Sequence, residues 1–91
     1  MKTKEAKRIE AINKKEIKNS TQNLSVIVPA IDKLSTQMRF LSYKLSERYD
    51  EGDRRSDALD EAITRLDEAI KVLETLQTYE KETIELCQSK D

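Results

Sequence analysis

Seven apolar residues, Leu24, Ile27, Ile31, Leu34, Met38, Leu41 and Leu45, follow one another at alternating steps of three and four. On an α-helix that alternation gathers all seven onto one stripe. A second stripe, Leu59, Ile63, Leu66, Ile70 and Leu73, repeats the pattern downstream. Between the two stand Asp50, Glu51, Gly52 and Asp53, with the only glycine of the chain. A helix reverses only through a turn, and glycine takes the left-handed conformation that helix ends favour. The spacing therefore predicts an all-α fold: a long antiparallel helical hairpin over about 20–50 and 56–88. A shorter N-terminal helix is expected to complete a three-helix or dimeric bundle.

Composition agrees with the stripes. Ninety-one residues make one small helical domain, 1–91, in which charged residues (38%) slightly outnumber hydrophobic ones (36%). That balance suits amphipathic helices with thin cores. One Gly and one Pro leave little turn chemistry, and Val, Thr and aromatics are too sparse for a sheet. No run approaches the length of a membrane span, and the charged start lacks the apolar stretch of a secretory signal. A single cysteine, Cys87, allows no internal disulfide, so a cytoplasmic, reducing setting is expected. The Asn-x-Ser/Thr triplets at Asn19 and Asn23 then have no glycosylation role.

Read in order, residues 1–19 form a basic helix with a weak apolar face of Ala6, Ile9 and Ile12, and Ile17 to one side. Glu10 and Lys14 stand four apart, in the favourable order for an ion pair. So short a helix does not hold in water alone; it is expected either to dock or to be mobile. Asn19, Ser20, Thr21 and Asn23 favour caps and turns, and mark a break there. The middle helix, 20–50, should start near Ser20 to Ser25, kink near Pro29 and end with Gly52 at its C-terminal cap. The last helix, 54–89, should be capped by Ser56 or Asp57 and meet no breaker before Ser89. Glu61–Arg65 and Asp67–Lys71 are further pairs four apart. Ser35 and Ser42 on one helix, and Ala62 and Ala69 on the other, flank the stripes and are expected to let the helices approach closely. Beyond Leu73 the pattern loosens. Gln77 and Glu80 fall where apolar residues belong, and Leu76, Ile84, Leu86 and Cys87 continue in what reads as a shifted phase. The last helix should thus overhang the middle one, with the N-terminal helix covering the overhang.

Charge supports that arrangement. Residues 1–20 carry seven Lys/Arg against three Glu, whereas residues 53–91 carry six against eleven Asp/Glu. A basic head and an acidic tail should attract each other within one molecule or across a dimer.

Catalysis has little to work with. Histidine, the commonest general base and metal ligand, is absent, as is any glycine-rich phosphate loop. No catalytic residue, cofactor or metal site is expected, and Cys87 reads as a small apolar residue on a helix. The ridge Asp60, Asp67 and Glu74, spaced by seven, is a candidate partner surface. So are Val26, Phe40 and Tyr43, which lie off the main stripe in a place where aromatic anchors of interfaces occur. Lys4, Lys7, Arg8, Lys14, Lys15 and Lys18 make a candidate basic patch, diluted by glutamates and without an aromatic residue to stack on a base. The expectation is a non-enzymatic helical interaction module: an assembly, adaptor or chaperone-like subunit binding a protein partner or itself, with a homodimer favoured. The alternative is a small phage- or plasmid-type inhibitor that blocks an enzyme. A weaker alternative is nucleic-acid or membrane-surface binding through the basic N-terminus.

Overall fold

The computed structural model describes residues 4–88, which form two helices: α1, Lys4–Leu45, and α2, Arg54–Gln88. Lys2 of the basic head and Ser89 at the expected helix end lie outside the described residues. The helices pack side by side into an extended hairpin whose Cα trace measures 72 × 16 × 15 Å. Its width is that of two adjacent helix backbones, and its length is close to the roughly 63 Å of a 42-residue helix. The all-helical hairpin expected from the stripes is present, without a separate third helix among the described residues.

The largest departure lies at the N-terminus. The expected break at 19–23 is absent, and α1 runs through it without interruption. The stripe explains why. Its three-four alternation extends backwards from Leu24 through Ser20, Ile17, Asn13, Glu10 and Ala6, all buried or half-buried. Ser20 is only 3% exposed, and Asn23 donates a side-chain hydrogen bond to Glu80 of α2. Polar side chains that favour turns in isolation are here engaged by the neighbouring helix, which outweighs propensities of a few tenths of a kcal/mol each. Ile17 is on the seam while Ile9 and Ile12 are exposed, the reverse of the face expected for a separate first helix.

Pro29 likewise sits inside α1 without ending it. Pro29 and Ser25 are both exposed, so the Ser25 carbonyl that loses its helical donor faces water. Seam residues Ile27 and Ile31, on either side, hold the helix in phase.

On α2, the seam continues from Leu59, Ile63, Leu66, Ile70 and Leu73 to Gln77, Glu80, Ile84 and Cys87, all buried or half-buried. Ile84 and Cys87 thus keep the original phase; only Leu76 and Leu86 lie off it. The core is thin. Ile27, Leu59 and Ile70 are the buried apolar residues of the described chain, and no large side chain is fully enclosed.

The turn also differs from expectation. α1 ends at Leu45 rather than near Asp50, and hydrogen-bonded turns follow, with Arg48 N donating to Leu45 O at 3.0 Å. Gly52 does take the left-handed region, φ 89°, but it sits in the second turn, directly before α2, and not at the cap of α1. The N-cap of α2 is Asp53 rather than Ser56 or Asp57. Its carboxylate accepts the Arg55 amide at 2.8 Å, and its carbonyl accepts the amides of Ser56 and Asp57 at 3.0 and 3.2 Å. The Arg55 guanidinium grips the same carboxylate, Nη2 to Oδ2 at 2.8 Å, and lies 5.0 Å from the ring centre of half-buried Tyr49. These hydrogen bonds, from the Arg55 side chain first and its amide second, lower the Asp53 pKa to about 2.

Candidate interaction surface

Asn23 is level with Glu80, so residue n of α1 stands beside residue 103 − n of α2. Ile27 and Leu76, which share a groove with both, fit the same register. Gln88 is then level with Lys15. The start of α1 projects past the described end of α2, by roughly 16 Å. This reverses the expected overhang: α1 is the longer helix, and its basic head continues the hairpin line instead of folding back over α2. The antiparallel course does bring the basic start of α1 and the acidic C-terminal half of α2 to one end of the molecule.

Calling the seam positions a and d, with Leu24 and Ile63 at a, sorts the residues that flank the seam onto one of two faces. In an antiparallel pair like flanks meet, so the c and g positions of both helices share one face and the e and b positions share the other. The grooves confirm the sorting. Val26 and Asn23 of α1 line one groove with Leu76 of α2, all at c or g. Ala58 and Ala62 line another with Leu41, Leu45 and Tyr49. Met38, Ser42 and Tyr43 line a recess with Ile63 on the opposite side. Ala62 and Ala69 therefore do not face Ser35 and Ser42 as expected; the alanines and the serines flank opposite edges of the seam.

The candidate residues divide accordingly. Val26 and Phe40 occupy c positions two heptads apart and are 70% and 54% exposed. Tyr43, 77% exposed, turns to the other face, and the Lys44 ammonium bridges the divergence, 6.0 Å from the Phe40 ring centre and 5.5 Å from that of Tyr43. Asp60, Asp67 and Glu74 line the e flank, away from Val26. Asp67 is paired with Lys71 at 3.1 Å, and Glu61 with Arg65 at 2.8 Å, the two pairs expected there. Lys4, Lys7, Arg8, Lys14, Lys15 and Lys18 all fall at b, e or f, on the polar side.

The c/g face holds residues that the sequence reading missed. Val72, Tyr79 and Leu86 recur every seven residues on α2, all exposed, and Leu76 and Thr83 interleave with them at steps of four and three. Ala58, Ala62 and Ala69 extend this second seam towards the turn. Thr83 donates its hydroxyl to Tyr79 O at 3.0 Å on its own helix and needs no partner from outside. The signal was present in the heptad spacing of Val72, Tyr79 and Leu86, hidden by reading Leu76 and Leu86 as a shift of the first seam.

Among the described residues no cluster of three or more Cys, Asp or Glu could hold a metal ion, and no helix is long and apolar enough to cross a membrane. The fold and the double seam define the chain as an antiparallel helical hairpin with one apolar and one polar outer face. Comparison with protein-family models, curated proteins and solved structures gives no match.

Proposed function

We propose that the chain is a non-enzymatic helical protein–protein interaction module that works through its c/g face. One observation carries this reading: α2 has a second seam, Val72, Leu76, Tyr79, Thr83 and Leu86, whose four apolar and aromatic members are exposed, and Leu76 shares a groove with Val26 of α1. Such a strip loses free energy in water at about 25 cal/mol per Å² of apolar surface and gains it back on being covered. The small-inhibitor alternative would lean on the acidic ridge. That ridge is in part neutralised by Lys71, so it is the weaker anchor. Binding to nucleic acid or a membrane surface through the head would oppose Lys4, Lys7 and Arg8 with Glu5 and Glu10 in the same two turns.

A photo-crosslinking residue placed at Tyr79 in the source cell tests the reading, with one at Thr78 on the polar face as control. Discrete protein adducts from position 79 and few from 78 are expected. Equal yields at both positions, or none at 79, would remove the c/g face as a working surface.

A further inference from the structure

We infer that the head of α1 carries a second working surface, turned away from the c/g face, which holds double-stranded nucleic acid by its phosphates. This goes beyond the protein-binding reading above and is independent of it.

Sorting by face is the first argument. From residue 4 to residue 18, six of the seven b, e and f positions are basic, Lys4, Lys7, Arg8, Lys14, Lys15 and Lys18, and the seventh is Ala11. The acids of the same stretch, Glu5, Glu10 and Glu16, take c, a and g. Along the chain acids and bases alternate. Around the helix all six bases fall within one arc of about 100°, and no acid lies inside it.

The six cations are also unengaged. The ion pairs among the described residues are Arg55–Asp53, Arg65–Glu61 and Lys71–Asp67, and none reaches the head. All six side chains are exposed. No described residue of α2 stands level with residues 4–14, because Gln88 is level with Lys15 by the Asn23–Glu80 register. Further in, Glu85 is level with Lys18, and Lys81 on the same flank of α2 offsets it. The other acids of that flank, Asp57, Asp60, Asp67 and Glu74, gather towards the turn. The polar side thus has a basic end and an acidic end, and a polyanion is drawn to the head alone.

What the arc lacks selects its occupant. Ala11 is its only apolar residue, and it holds no aromatic one. A protein partner would gain only exposed ion pairs, each of about 0–1 kcal/mol. A helix that lies on a lipid surface inserts an apolar face, and here exposed Ile9 and Ile12 share theirs with Glu5 and Glu16. A nucleic-acid duplex carries one charge per about 1.7 Å, and each cation that meets it releases condensed counterions without any apolar contact. Lys4 to Lys18 spans about 21 Å of helix, long enough to touch several phosphates. With no aromatic to stack on a base, and no Asn or Gln in the arc to read a base edge, binding should be blind to sequence and favour a duplex over a single strand.

Fluorescence anisotropy of a labelled mixed-sequence DNA duplex of about 20 base pairs, titrated with the full chain, tests the inference. Micromolar binding is expected at about 50 mM salt, with a slope of log K against log salt between about −3 and −5. Lys7→Gln/Lys14→Gln/Lys18→Gln should weaken binding at least about tenfold and flatten the slope by about 2–3. Lys33→Gln/Arg39→Gln/Lys44→Gln, which removes the same charge from exposed residues of the turn half, should change affinity less than about threefold. Both variants should keep the helical circular dichroism of the wild type. Ile9→Ser/Ile12→Ser should bind the duplex as the wild type does. No binding at about 100 μM protein in about 50 mM salt, equal losses in the two triple variants, or tighter binding of a single strand of the same length would overturn the inference. So would binding to phosphatidylserine vesicles in place of the duplex, which would give the head to a membrane surface. None of these outcomes bears on the crosslink at Tyr79, so the c/g reading stands or falls separately.

Discussion

The two halves of the hairpin share one geometry and differ in what fills it. Near the turn the seam is apolar throughout, from Leu24 to Leu45 on α1 and from Leu59 to Leu73 on α2. At the open end the same positions hold Glu10, Asn13 and Ser20 on α1 and Gln77 and Glu80 on α2, and Ala6, Ile17, Ile84 and Cys87 are the apolar residues left there. The outer c/g flank of α2 changes in the opposite sense. It bears alanines and Arg65 near the turn, and Val72, Leu76, Tyr79 and Leu86 towards the open end. Apolar surface thus passes from the inner seam to the outer flank along one helix. The turn half is built to hold the two helices together. The open half keeps its register through polar contacts such as Asn23 to Glu80 and presents its apolar residues outward.

That contrast is broken or sharpened by four measurements, made at one protein concentration because association would shift apparent stability. Leu59→Ala, in the apolar half, should lower unfolding free energy by about 2–3 kcal/mol in a urea titration, against about 1 kcal/mol for Ile84→Ala in the polar half. Equal losses would mean that the two ends are equally well packed. Gln77→Leu fills a polar seam position with apolar surface and should raise stability by about 1 kcal/mol. A fall would show that the polar seam is doing structural service that a leucine cannot replace. Gly52→Ala tests the turn that starts the apolar half. A Cβ there meets nothing within 4 Å, but φ 89° strains any side chain, so a loss of about 1 kcal/mol is expected from backbone conformation alone.

The smallest effect should appear only in acid. Asp53 has a pKa of about 2 in the folded chain, below the ordinary 3.8, because Arg55 hydrogen-bonds its carboxylate. A depressed value means that the folded state favours the ionised form. Its contribution is complete above the ordinary value and is lost as pH falls through about 2. Asp53→Asn keeps a capping side chain but does not titrate. The wild type should therefore lead this variant in thermal midpoint at pH 6, and the lead should shrink between pH 4 and pH 2. A lead independent of pH would place the stabilisation elsewhere than in this carboxylate.

The hairpin was legible because its evidence is periodic. Ten steps of three or four residues between Leu, Ile and Met leave one helical solution, and Glu61–Arg65 and Asp67–Lys71 pair as their spacing requires. The continuity of α1 was not legible. Asn19, Ser20, Thr21 and Asn23 argue for a break as long as each is judged by its own backbone preference, and only α2 alongside supplies the burial of Ser20 and the acceptor for Asn23. The Asp53 cap was missed for a similar reason. Ser56 and Asp57 are equally good cap residues, and the choice was made by Arg55 and Tyr49 closing on the turn. Of the candidate surface residues, Val26 and Phe40 lie on the c/g face, whereas Tyr43 and the acidic ridge lie off it.

By itself, then, the sequence determined two helices, the phase of their seam and the place of reversal, because spacing along a helix is a local property. The tertiary structure alone decided which flanks meet. Antiparallel packing joins c and g of one helix to c and g of the other, and so collects Val26, Leu76 and Tyr79, far apart in the chain, onto a single apolar face.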